Sequence, residues 1–149
     1  MIGRDLHSTL SYQRAISPQT QTNSDAPLVG QWIDMADQLG LEFVIATGQL
    51  TDTNVTFAVT MDESDDQATI TAVAAFDMLP VPNNNVATSA LAQAAFTFAT
   101  DDSVQRIGYV GTKRYVRLTI TPTGNDAGAA PLAVVAVGLP RIRGNATAT

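Results

Sequence analysis

NVTFAVTM, residues 54–61, puts Val55, Phe57, Val59 and Met61 on one face of an extended chain and Thr56, Ala58 and Thr60 on the other. A repeat of two is the period of a strand; a helix repeats near 3.6 and would scatter these residues around its surface. The pattern recurs on both sides. LEFVIAT (41–47) sets Leu41, Phe43 and Ile45 against Glu42 and Val44, and RYVRLTIT (114–121) sets Val116, Leu118 and Ile120 against Tyr115, Arg117, Thr119 and Thr121. LAVVAVGL (132–139) is apolar almost throughout, which marks a central strand.

Turn residues separate these runs. TGQLTDTN (47–54) connects two strands, and DESDDQ (62–67) caps a predicted hairpin between 54–61 and ATITAVAAF (68–76). PVPNNN (80–85) is a hard break. VATSALAQAA (86–95) is the one stretch where a short helix competes, before FTFA (96–99) returns to strand chemistry. SVQRIGYV (103–110) and RYVRLTIT read as an antiparallel hairpin closed by GTK. About seven or eight short strands, broken by Gly, Pro, Asn and Asp with no βα alternation, define an all-β fold. The expectation is a two-sheet antiparallel β-sandwich of jelly-roll type.

With 149 residues the chain is one domain, long enough to bury about 70% of the surface its unfolded form exposes. Residues 1–28 show no period and contain Pro18 and Pro27, so they read as an extended N-terminal arm. Residues 29–140 form the sandwich and 141–149 a polar tail. There is no cysteine, which removes disulfides, thiolate catalysis and Cys-based zinc sites. No 18-residue apolar run occurs, so a soluble protein without a membrane partner is expected.

The formal net charge is −6, which opposes general nucleic-acid binding. The signs are segregated along the chain. Residues 25–102 hold twelve of the fourteen acids and no Lys or Arg; residues 106–143 hold six of the eight bases and one acid, Asp126. Four of those bases, Arg106, Lys113, Arg114 and Arg117, fall within RIGYVGTKRYVRLTIT (106–121), interleaved with Tyr109 and Tyr115. Single-strand binders combine such residues, but the acidic remainder makes an acidic protein neighbour the favoured partner. Alternatively, the segregation disappears once strands interleave in space.

No catalytic set emerges. His7, the only histidine, stands in the arm and has no fixed partner to make it a general base. Asp62, Glu63, Asp65 and Asp66 could offer oxygens to calcium, yet the EF-hand spacing is absent and acidic hairpin loops commonly keep a sheet edge soluble. Nothing places two carboxylates in one cleft for glycoside chemistry, and nucleophile-elbow, Walker and dinucleotide glycine patterns are missing. No metal, cofactor or enzymatic activity is expected. Trp32 with the tyrosines could make a carbohydrate platform, although a tryptophan beside Ile33 reads more simply as core.

RDLHSTLSYQRAISPQ (4–19), WIDMADQLGLEFVIATGQLTD (32–52), MDESDDQATIT (61–71), VQRIGYVGTKRYVRLTIT (104–121) and VVAVGLPR (134–141) together, in this order, resemble small structural proteins from the head-gene region of tailed bacteriophages. The layout is more loosely similar to jelly-roll cement proteins that sit as trimers on capsids. The chain departs from the group pattern after SDD, where a Gly and an aromatic would follow and Gln67-Ala68-Thr69 stands instead. The resemblance implies a capsid decoration or cement protein, made in the host cytoplasm and carried on the virion surface. It would bind the major capsid protein and itself, as a trimer; a head–tail connector or tail component is the alternative. Arg4, His7, Tyr12 and Arg14 would then belong to an arm contact, and Arg106, Lys113, Arg114 and Arg117 to a charged face toward the shell or a sister subunit. Deleting residues 1–16 would remove binding and leave the fold.

Overall fold

In the computed structural model, which describes residues 5–80 and 89–141, Val55, Phe57, Val59 and Met61 are all buried and the residues between them exposed. Phe57, Val59 and Met61 lie in β5 (Thr56–Ser64), and Val55 immediately precedes it. The other strands are β1 (Ser11–Thr22), β2 (Leu28–Val29), β3 (Ile33–Asp34), β4 (Gln38–Thr47), β6 (Thr71–Ala72), β7 (Met78–Leu79), β8 (Phe96–Thr97), β9 (Val104–Tyr109), β10 (Tyr115–Thr123) and β11 (Ala129–Pro140). One short helix, α1 (Ala90–Ala94), lies where the sequence allows one. Ser89 caps it, its side chain accepting from the Ala92 N–H at 3.2 Å. Among the described residues no helix is long and apolar enough to cross a membrane.

Two antiparallel sheets face each other. One runs β1-β11-β4-β9-β7; the other runs β2-β10-β5-β6, with β3 also pairing β10 and β8 also pairing β5. The inward residues of β4, β9 and β11 (Phe43, Ile45, Ile107, Val134) meet those of β5 and β10 (Phe57, Val59, Leu118, Ile120), and all eight are buried. Phe57 stacks on Phe96 with ring centroids 4.5 Å apart, which seats β8 and α1 over one end of the core. The chain is an all-β sandwich, as the period-two runs predict.

Three local expectations change. First, β9 and β10 are not a hairpin: β9 pairs β4 and β7, whereas β10 pairs β5, β2 and β3 in the opposite sheet. Each strand has its own apolar face, Ile107 and Tyr109 on one, Val116, Leu118 and Ile120 on the other, and the core is filled when these face each other. Residues 110–114 carry the chain across a gap that is about 10 Å in packed sheets. Gly111 serves this crossing because the chain lies against the Tyr109 ring, where a Cβ would come within 2.6 Å of ring carbons.

Second, the sandwich begins inside the stretch read as an arm. That stretch is extended, but residues 11–22 are β1, hydrogen-bonded along β11, with Ala15 and Ile16 in the core. The register shifts between Arg14 and Ile16 and again before Gln19, so two adjacent residues point inward and the period of two is lost. Pro18 is tolerated because β1 is the sheet edge. Removing residues 1–16 would therefore take core side chains with it.

Third, the β5–β6 hairpin is lopsided. β5 continues through Asp62, Glu63 and Ser64, so the turn is confined to residues 65–70, and β6 is only two residues long before a 3-10 turn at Ala75–Asp77. Of the C-terminal tail, only Arg141 is among the described residues; its N–H donates to the Asp37 carbonyl at 2.7 Å.

Candidate functional site

All four bases of residues 106–121 meet an acid of the same chain. Arg106 Nη1 lies 3.4 Å from Glu42 Oε1, Lys113 Nζ 2.6 Å from Asp65 Oδ2, and Arg114 Nη2 3.2 Å from Asp34 Oδ2. Arg117 donates through Nε and Nη2 to Asp62 Oδ2 at 3.2 and 3.1 Å. The topology explains this: base-bearing β9 and β10 pair with acid-bearing β4, β5 and β3, and Arg117 stands directly opposite Asp62 in the ladder. Arg117 also stacks on the Trp32 ring at 4.5 Å, and Arg114 on Tyr115 at 5.0 Å. Trp32 therefore lies against a strand's outer face, half-buried, and one side of its ring is taken by a guanidinium.

The acidic cluster is dispersed by the strand that carries it. Asp62 serves Arg117. Glu63 Oε2 accepts from the buried Tyr109 hydroxyl at 2.8 Å. Asp65 takes Lys113 and the Arg114 N–H, and Lys113 above all holds its carboxyl below the usual range; Asp65 in turn raises Lys113. Asp66 Oδ1 accepts from the Thr69 and Ala68 N–H groups at 2.7 and 2.9 Å and from Ser64 Oγ at 3.0 Å. Those bonds, the Thr69 one foremost, bring its pKa down to about 2. Among the described residues no three His, Asp or Glu side chains converge as a metal site.

The N-terminal candidates lie elsewhere. His7 is exposed in a turn ahead of β1, Tyr12 is exposed on β1, and Arg4 is outside the described residues. With its amide oriented to satisfy both ends, Gln31 donates to the Arg14 carbonyl at 3.2 Å and accepts from Arg14 Nη2 at 2.8 Å. Lys113, Arg114 and Arg117 belong to the β10 sheet and its approach, whereas Tyr12, Arg14 and Arg106 belong to the five-stranded sheet. The seven candidates that are among the described residues do not converge on one site.

A different surface stands out. The outward positions of the β5–β10 pair are hydroxyl-rich: Thr56, Thr60, Thr119 and Thr121 beside Asp62 and Arg117. The outward positions of β11, β4 and β9 in the five-stranded sheet are not, although β1 at its edge sets exposed Arg14 beside Val135. Ala133, Val135 and Val137 on β11, Val44 and Ala46 on β4, and Val104 on β9 make a continuous apolar band. Leu79 of β7 extends it by covering Gly108. On β11, β4 and β9 the only charges facing out are Glu42 and Arg106, which pair with each other. A shallow groove of about 450 Å³ between Pro18, Thr20, Ala46, Gly48, Pro131 and Ala133 continues the band toward the β1 edge. The sequence signal was present in LAVVAVGL, a strand apolar on both faces whose second face looks away from the core.

No family model and no curated protein matches the chain.

Proposed function

We propose that this chain is a structural protein of a tailed-bacteriophage particle, a capsid decoration or cement protein that binds the assembled head shell through repeated protein–protein contacts. The observation that carries the reading is the outer face of the five-stranded sheet. Contiguous apolar surface of a few hundred Å² on a small domain is often functional, and bands of this kind occur at protein–protein contacts. The major capsid protein and further copies of this chain are the proposed partners, with neither nucleic acid nor membrane among them.

The internal pairing of Arg106, Lys113, Arg114 and Arg117 moves the proposed contact from the basic segment to this apolar face. The strand order also supports the jelly-roll part of the reading. The first strand neighbours the last in β1-β11-β4-β9, and β2 or β3 leads the complementary order β10-β5-β6, as in a doubled Greek key. A rigid sandwich repeated over a shell gains strength from many modest contacts.

Copy number per purified virion, measured by quantitative mass spectrometry against the major capsid protein, tests the proposal. A count comparable to the capsid protein is expected. A count of about a dozen or fewer would move the protein to a portal, connector or tail position, and absence from the particle would overturn the structural role.

A further inference from the structure

We draw no further inference here: the strongest candidate, the apolar band on the outer face of β11, β4 and β9 with the shallow groove beside Pro18 and Pro131, is the surface on which the proposed function already rests, and nothing in the structure shows what covers it.

Discussion

The Tyr109 hydroxyl on β9 donates to Glu63 Oε2 on β5 at 2.8 Å, a hydrogen bond from one sheet to the other beside the core. Tyr109 is fully buried and Glu63 half-buried, so the bond to a carboxylate is only partly replaceable by water. Tyr109→Phe keeps the ring and removes the donor. The expected loss is about 1–2 kcal/mol, or roughly 3–6 °C in Tm for a chain of this size. Burial first, and Glu63 second, raise the Tyr109 phenol above its ordinary 10.0. The folded state thus keeps a proton that the unfolded state releases, and stability is full below about pH 10 and declines above it. Lys113, raised by Asp65, acts with the same sign. Urea melts between pH 8 and 11 should show this decline in wild type and a shallower one in Tyr109→Phe; identical slopes would refute the assignment.

Arg117 and Asp62 offer a contrast with Arg106 and Glu42. The first pair is directly cross-strand, 21% and 27% exposed, and braced by Trp32; the second is 44% and 38% exposed with one contact at 3.4 Å. Double-mutant cycles to alanine should give a coupling of about 1 kcal/mol for Arg117–Asp62 and close to zero for Arg106–Glu42. Arg117→Glu should be worse than Arg117→Ala, because it sets two carboxylates opposite each other. Equal couplings would mean that the stack on Trp32 and the lower exposure contribute nothing.

What could be read in advance follows from what is local. The alternation in β4, β5 and β10 is a property of each segment, so the inward faces of Phe43, Phe57 and Leu118 were legible before any partner was known. The partner of Arg117 was not, because Asp62 is remote in sequence and only sheet topology brings it opposite. The GTK turn misled for the same reason: turn chemistry near Gly111 is compatible with a hairpin, and the choice was made by β4 and β5 competing for β9 and β10. β1 was hidden by its bulge, which makes Ala15 and Ile16 adjacent inward residues. LAVVAVGL revealed that β11 is central, but not that Val135 and Val137 face outward.

Gly30 links β2 to β3 between β10 of one sheet and β1 of the other. Its N–H donates to the Leu118 carbonyl at 2.9 Å, and the next N–H, of Gln31, donates to the Ala15 carbonyl at 2.9 Å. A Cβ at residue 30 would lie 2.5 Å from the Leu118 oxygen and 3.3 Å from the Ala15 oxygen, both backbone atoms with little room to move. Gly30→Ala should therefore cost about 1–3 kcal/mol, measured by urea denaturation. Gly40, where a Cβ would meet nothing within 4 Å, is the control: Gly40→Ala should fall within about 0.5 kcal/mol of wild type.

The turn at residues 65–70 makes the last prediction. Gln67 has φ +62°, in the left-handed region where a side chain is disfavoured and glycine is not. Gln67→Gly should stabilise the chain by about 0.5–1 kcal/mol, the relief of strain exceeding the added freedom of the unfolded chain. Asp66 holds the same turn through the Thr69 and Ala68 N–H groups, and its pKa of about 2 places the linked stability above about pH 4, to be lost as pH falls toward 2. Asp66→Ala should lower Tm at pH 7 and flatten the acid limb of the stability curve. The limb should not vanish, because Asp34 and Asp65 are also depressed by their basic partners. Thermal melts from pH 2 to 7 on Gln67→Gly, Asp66→Ala and the double variant separate the two effects. If glycine at residue 67 stabilises only while Asp66 is present, the torsion is imposed by the Asp66 bonds; if it stabilises equally in both backgrounds, β5 and β6 set the turn without them.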